Sequence, residues 1–272
     1  MRASLAILLL THAFSASAAA PAPTQVLQRK LTTRDGTRDL TIILPPDYQP
    51  TRRYPVLYLL DGANLLAHPV HAGGWRADKG LTEAVHSGAE PMIIVGVHTT
   101  NRLNEYTTTP DPNPRNAGGG GGAQFIKYLA KEVVPYIEQN FATRAGASGR
   151  AIGGSSLGGL LSMHALMTKT FGRGLVLSPS VWWNNKQLLD AVSKFKTSKL
   201  LDKRVVLYNG GAQDEPANSE ALRDLLHQKG MQFNQNLFHW GESGATHDEA
   251  AWAKFLPKGL AALFPAGSSA AP

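Results

Sequence analysis

The sequence predicts one α/β domain in which helices cover both faces of a mostly parallel sheet of about eight strands. Two observations predict this fold class. Short apolar runs alternate with segments of helical periodicity through most of the chain, and this alternation is typical of parallel sheets. Several of the runs are continuously apolar, as expected of strands that are buried on both faces. The length of 272 residues suits a single domain, and no interior linker divides it.

Local patterns predict the individual elements. Strands at 26–33 and 37–44 alternate in polarity and are joined by a turn at Asp35-Gly36. The remaining strands are predicted at 54–60, 91–97, 150–153, 174–177, 204–208 and 233–240. Helical spacing predicts helices at 77–86, 123–141, 160–168, 219–228 and 249–264, with a kink or break at Pro135.

Composition excludes several classes of protein. A chain that is 43% hydrophobic and 17% charged is a soluble globular protein with a sizeable core. The absence of cysteine excludes cysteine nucleophiles, thiolate metal sites and iron–sulfur clusters. The residues behind the formal net charge of +7 are scattered, which favours an ordinary solvated surface. The more specific alternative is that the positive charge attracts an anionic substrate or an envelope surface.

The N-terminal residues have the order of an export signal. Arg2 precedes the apolar run Leu5–Leu10, and small residues follow from Ser15 to Ala20. The run is too short to anchor the protein in a bilayer. We therefore expect a signal at 1–19 that is removed, a single domain at 20–265 and a flexible tail at 266–272. A buried N-terminal helix is the alternative. Export predicts a periplasmic or secreted protein, for which nucleic acid is an improbable partner.

Five consecutive glycines stand at Gly118–Gly122. They do not form a dinucleotide-binding loop, because no strand precedes them. We expect a flexible connection into the helix at 123–141, with a position at the rim of an active site as the less favoured alternative.

The segment from Gly154 to Gly158, Gly-Ser-Ser-Leu-Gly, fits the pattern G-x-S-x-G between a predicted strand and a predicted helix. This pattern exposes a serine hydroxyl on a sharp turn, and the helix N-terminus beyond it favours developing negative charge. The pattern centred on Ser155 lacks the final glycine. Ser156 is therefore the candidate nucleophile, and a chance Gly/Ser turn is the alternative.

A serine nucleophile requires a base and an orienting acid, which on this type of sheet follow in the order serine, acid, histidine. Asp214 follows the strand at 204–208 and is the candidate acid, with Glu215 as the fallback. His247 lies in the loop after the last predicted strand and is the candidate base. The Leu157 and Ala63 N–H groups are the candidate oxyanion hole, because they follow the nucleophile and an earlier strand respectively.

Five segments, taken in order, resemble the putative-esterase family of α/β hydrolases, which includes enterochelin-type siderophore esterases, esterase D and mycolyltransferases. They are Tyr54–Gly62, Val95–Val97 with Asn101–Thr107, Gly154–Gly159, Leu177–Trp183 and His247–Trp252. The resemblance implies the α/β-hydrolase fold and a Ser-Asp/Glu-His triad that works without a metal or organic cofactor. It supports Ser156, Asp214 and His247, with Leu157 and Ala63 as the oxyanion hole. Ser155 departs from the family, since many relatives carry histidine there.

Three more residues are candidates for contact with substrate. Arg102 would bind an anionic group bidentately, and an ion pair with Glu105 is an equally good interpretation. Trp182 and Trp183 would either wall the pocket or fill the core beneath it.

The sequence thus predicts a serine carboxylic-ester hydrolase that works through an acyl-enzyme on Ser156. The export signal, the basic charge and Arg102 favour small anionic esters of the ferric-catecholate siderophore type. Feruloyl or other aryl esters are the rival substrates, and an acyltransferase would use the same triad. The alternative from a different class of function is an inactive hydrolase-like binding protein. Such a protein would have lost one of the three triad residues.

Overall fold

The computed structural model describes residues 23–267, so the predicted signal at 1–19 and residues 268–272 of the predicted tail lie outside the described residues. One eight-stranded sheet has the order β1-β2-β4-β3-β5-β6-β7-β8. Strand β2 runs antiparallel to β1 and β4, and every other pair is parallel. The strands are β1 Gln25–Thr33, β2 Gly36–Leu44, β3 Val56–Leu59, β4 Ile93–Val97, β5 Arg150–Ser155, β6 Arg173–Leu177, β7 Arg204–Asn209 and β8 Leu237–Gly241.

Helices cover both faces of the sheet, and each face has its own apolar core. On one face α1 and α9 pack on the sheet, and on the other α3, α4, α5, α6 and α8 do so. The helices are α1 Ala77–His86, α2 Arg102–Tyr106, α3 Gly122–Tyr128, α4 Val134–Asn140, α5 Leu157–Leu166, α6 Trp183–Lys194, α7 Thr197–Leu201, α8 Pro216–Gln228 and α9 Glu249–Leu263. Strands β3 and β4 are buried at every residue, as their apolar runs predict. The predicted fold class is confirmed. Among the described residues no helix is both long and apolar enough to cross a membrane.

Three local predictions need correction. The last strand begins at Leu237 rather than at residue 233, because residues 232–236 form a turn with Asn234 in the left-handed region (φ 59°). Pro135 does not break its helix. A π-helical turn at Leu129–Val133 precedes α4 and accommodates the proline, which lacks a backbone N–H, in the first turn of α4. Helices α2, α6 and α7 were not predicted, since α2 and α7 have only five residues each and α6 opens with a left-handed turn.

The glycine run is a packed turn rather than a flexible connection. Gly119 has a φ of 89° and bridges to Pro110, and the Gly120 N–H donates to Thr107 Oγ1 at 3.0 Å. A Cβ on Gly119 would overlap Thr107 Oγ1 and approach the Trp183 ring to 3.2 Å. Glycine is required here by close approach as well as by the positive φ.

Gly119→Ala tests this packing against a matched control. Gly146 also has a positive φ (85°), but a Cβ there meets nothing within 4 Å. We expect Gly146→Ala to lower the free energy of unfolding by about 1–3 kcal/mol through the backbone alone, because φ 85° with ψ 165° is a conformation that essentially only glycine adopts. Gly119→Ala should cost at least about 1 kcal/mol more, because the methyl group also clashes. Urea unfolding of both variants is the measurement, and equal losses would mean that the run is not tightly packed.

Candidate active site

The candidate nucleophile lies on a sharp turn between β5 and α5. Ser156 separates the two elements and adopts φ 56° and ψ −122°, a conformation that costs on the order of 1–3 kcal/mol. Three hydrogen bonds hold its backbone. The Ser156 N–H donates to the Leu177 carbonyl (3.0 Å), and the Ser156 carbonyl accepts from the Leu160 N–H (3.0 Å) and the Ser180 N–H (3.1 Å). The turn closes because Gly154 has no side chain; a Cβ there would lie 2.8 Å from the Gly158 carbonyl carbon.

The candidate base and acid are in direct contact. His247 Nδ1 lies 2.5 Å from Asp214 Oδ1. The two residues follow β8 and β7, which are neighbouring parallel strands, so their loops meet at one edge of the sheet. The Asp214 carboxylate is buried, and its Oδ2 accepts hydrogen bonds from Ser178 Oγ and the Gly210 N–H. Burial by itself would raise the pKa of Asp214, but the hydrogen bonds from His247, Ser178 and Gly210 outweigh it and lower that pKa. The carboxylate is therefore ionised at neutral pH.

Glu215, the alternative acid, lies apart from this contact. It is exposed and precedes α8 in the left-handed region (φ 46°), where its carboxylate accepts a hydrogen bond from Asn218 Nδ2. The structure therefore brings Asp214, and not Glu215, to His247.

Trp252 and Ser178 complete a closed group of contacts around His247 and Asp214. The Trp252 ring meets the His247 ring edge to face, with centroids 5.2 Å apart. Trp252 Nε1 donates to Ser178 Oγ at 3.0 Å, and Ser178 in turn donates to Asp214. Neither residue was assigned a role from the sequence. The signal for both lies in the segments Leu177–Trp183 and His247–Trp252, which carry the resemblance to the esterase family.

Ser156 and His247 are not joined by a hydrogen bond among the described residues. Ser156 Oγ lies 3.2 Å from Ser180 Oγ instead. The link between the two is the turn Ser178-Pro179-Ser180, which contacts the nucleophile through Ser180 and the acid through Ser178.

The two candidate oxyanion donors have free N–H groups. Leu157 is the first residue of α5, and Ala63 lies in the 3₁₀ turn Gly62–Asn64 that follows β3. Neither N–H has an acceptor among the described residues. Strand β3 pairs with β5, so both loops lie at the carboxyl edge of the sheet, on the same side as Ser156.

Arg102 has a partner that the sequence did not reveal. Its Nε and Nη2 donate to the two carboxylate oxygens of Asp61 at 2.8 and 2.9 Å, and Nη2 also reaches the Ser155 carbonyl at 3.3 Å. The alternative pairing with Glu105 is wrong, because the Glu105 carboxylate is bound bidentately by Arg38. The bidentate edge of Arg102 is thus occupied within the protein and ties the loop after β3 to the residue before the nucleophile.

The two tryptophans have different environments. Trp183 is buried, and its Nε1 donates to the Thr109 carbonyl at 2.8 Å, so it belongs to the core. Trp182 is 40% exposed and lies two residues beyond Ser180. Of the pair, only Trp182 offers an aromatic surface to a ligand. The described residues contain no group of three or more His, Cys, Asp or Glu side chains placed to hold a metal ion.

The sheet order, the turn at Ser156 and the loops after β7 and β8 define an α/β hydrolase. Solved structures agree in fold. The BES protein from Bacillus cereus matches with a TM-score of 0.72 and 22% identity, covering 93% of this chain and 99% of that one. An IroE-like serine hydrolase from Shewanella oneidensis matches with a TM-score of 0.66 and 24% identity, covering 88% of this chain and 80% of that one. A ferulic acid esterase also matches, with a TM-score of 0.68, 18% identity and coverage of 89% and 99%.

The chain belongs to the family described as "Putative esterase", whose model matches residues 32–263. The uncharacterized protein YbbA of Bacillus subtilis is 27% identical over 221 residues, which are 79% of this chain and 82% of YbbA. The siderophore enterobactin esterase of Emericella nidulans is 38% identical over 88 residues, which are 32% of this chain and 29% of that enzyme. The ferri-bacillibactin esterase BesA of B. subtilis is 27% identical over 189 residues, which cover 61% of this chain and 62% of BesA. The matches to these two named esterases thus span less than two thirds of each enzyme. The family and these relatives support a hydrolase that cleaves esters.

Ser178→Ala tests whether this hydroxyl supports the buried acid. The change leaves Trp252 Nε1 without its acceptor and removes one donor from the Asp214 carboxylate. We expect a loss of about 1–3 kcal/mol in the free energy of unfolding, measured in urea at neutral pH. Ser162→Ala is the matched control, because Ser162 is fully buried and its Oγ only donates to the Gly158 carbonyl. It should cost less than about 1 kcal/mol, and equal losses would contradict the network.

Proposed function

We propose that the protein is a serine esterase that works through an acyl-enzyme on Ser156. The observation that carries the proposal is the set of contacts that converges on the turn Ser178-Pro179-Ser180: Ser180 meets the strained Ser156, and Ser178 meets the acid of the His247–Asp214 pair. Nucleophile, base and acid thus share one edge of the sheet, in the chain order typical of α/β hydrolases.

In the proposed reaction His247 Nε2 takes the proton of Ser156 Oγ as that oxygen attacks the ester carbonyl. The Leu157 and Ala63 N–H groups hydrogen-bond the oxyanion. His247 then gives the proton to the departing alcohol, which leaves the acyl group on Ser156. Water repeats the sequence and releases the acid. Asp214, ionised and held by three donors, fixes the imidazole through Nδ1 and stabilises its protonated form.

For the substrate we propose esters of aromatic acids of the catecholate siderophore type. The relatives from Emericella nidulans and Bacillus subtilis are named as a siderophore enterobactin esterase and a ferri-bacillibactin esterase. The net charge of +7 also favours an anionic substrate. The exposed Trp182 ring, next to the turn that contacts Ser156, suits an aromatic acyl group. Esters of ferulic acid are the second candidate, favoured by the likeness to a ferulic acid esterase. The proposed location is outside the cytoplasm, on the basis of the N-terminal sequence.

Two matched pairs of variants test the proposed roles. Ser156→Ala should lower turnover of an aryl ester by about 10⁴-fold or more and abolish labelling by a fluorophosphonate. Ser155→Ala, at the neighbouring buried serine, should change the turnover and the labelling rate by only a few fold. Asp214→Asn should cost on the order of 10³- to 10⁴-fold, and Glu215→Gln only a few fold. Undiminished turnover by Ser156→Ala would rule the mechanism out.

A second experiment tests the substrate class. We expect kcat/KM to be higher for ferric enterobactin than for methyl ferulate, and higher for either than for p-nitrophenyl butyrate. Trp182→Ala should lower kcat/KM for the aromatic esters by roughly 2- to 10-fold and leave the butyrate ester unchanged. A preference for methyl ferulate would favour the second candidate, and product analysis with an added alcohol would reveal acyl transfer.

A further inference from the structure

Ser180 touches the proposed nucleophile at two points. Its Oγ lies 3.2 Å from Ser156 Oγ, and its N–H donates to the Ser156 carbonyl at 3.1 Å. Ser180 is only 2% exposed, whereas Ser156 beside it is half-buried. Within residues 23–267, Ser180 Oγ is the one hydrogen-bond partner of Ser156 Oγ.

The turn that carries Ser180 is held firmly. The Ser178 N–H donates to the Tyr208 carbonyl at 2.7 Å, and the Ser178 side chain is tied to Asp214. Pro179 restricts the backbone between the two serines, and Ser178 itself is in the left-handed region (φ 42°). Ser180 Oγ is therefore presented by a fixed scaffold rather than by a mobile loop.

We propose that Ser180 is a further catalytic residue that donates a hydrogen bond to Ser156 Oγ during the reaction. The inference rests on the proposed function. In the free protein either hydroxyl can be the donor. Once the Ser156 proton passes to His247, only Ser180 has a proton to offer, and it stabilises the negative charge that develops on Ser156 Oγ. The proton stays on Ser180 throughout, so the proton balance between Ser156 and His247 is unchanged.

The same contact acts in the second half of the reaction. Ser156 Oγ is the attacking atom when the acyl-enzyme forms and the leaving atom when water cleaves it. Charge develops on it in both steps, and the Leu157 and Ala63 N–H groups are assigned to the carbonyl oxygen instead. A donor at Ser180 therefore accelerates both acylation and deacylation. A residue that only held the free Ser156 side chain in place would affect acylation alone.

Ser180→Ala distinguishes these roles. We expect the second-order rate constant for reaction with a fluorophosphonate to fall roughly 10- to 100-fold, the effect of one hydrogen bond to a charged group. Its pH midpoint should not move, because His247 and Asp214 are untouched. Deacylation, followed after rapid acylation with a p-nitrophenyl ester, should slow by a similar factor. Urea unfolding of the variant checks the fold, and Ser162→Ala is the control for loss of a buried hydroxyl near the site.

Each other outcome has a definite meaning. Unchanged or faster phosphonylation of Ser180→Ala overturns the inference, and a faster rate would mean that Ser180 holds Ser156 away from His247. Slower acylation with unchanged deacylation also overturns it, because Ser180 would then only position the nucleophile. If the wild-type protein itself is not labelled, or Ser156→Ala is labelled equally, the proposed function fails instead.

Discussion

The backbone turn at Ser156 is the constraint on which the rest of the site depends. Its conformation is costly, and it persists because neighbouring strands clamp it: Leu177, at the end of β6, accepts from the Ser156 N–H, and Ser180 donates to the Ser156 carbonyl. This clamp holds the hydroxyl beside Ser180 and leaves the Leu157 N–H at the helix start without an acceptor among the described residues. The parallel pairing of β5 with β6 is what brings these groups together.

The ion pairs and hydrogen bonds of the site determine which of its charged side chains remain available to a substrate. Asp214 is buried with three donors and stays ionised, so it can balance a charged imidazole. Arg102, which reaches the Ser155 carbonyl, is already paired with Asp61, and Arg38 is paired with Glu105. Burial by itself would lower the pKa of Arg102, but the hydrogen bonds and the charge of the Asp61 carboxylate outweigh it and raise that pKa. An anionic substrate would therefore be drawn by the overall charge and not by the bidentate edge of Arg102.

Sequence patterns sufficed for features that are local or follow from chain order. The apolar runs identified the buried strands, and the G-x-S-x-G pattern with its flanking elements identified the turn at Ser156. Sequence patterns failed for features that depend on contacts between distant segments of the chain. Nothing local reveals that Arg102 meets Asp61, that Trp183 is buried while Trp182 is exposed, or that Ser178 and Ser180 reach the acid and the nucleophile. The glycine run looked flexible because its packing partners lie in distant segments.

In the proposed active site the turn at Ser156 presents its hydroxyl and the Leu157 N–H, and the turn after β3 presents the Ala63 N–H, to one reacting ester. A crystal structure of the protein after reaction with a fluorophosphonate tests this most directly, since the phosphonyl oxygen stands in for the oxyanion. That structure should show a covalent bond from Ser156 Oγ to phosphorus and an oxygen about 3 Å from both the Leu157 and the Ala63 N–H groups. Phosphorus on another residue, or an oxygen directed to solvent away from both N–H groups, would contradict it.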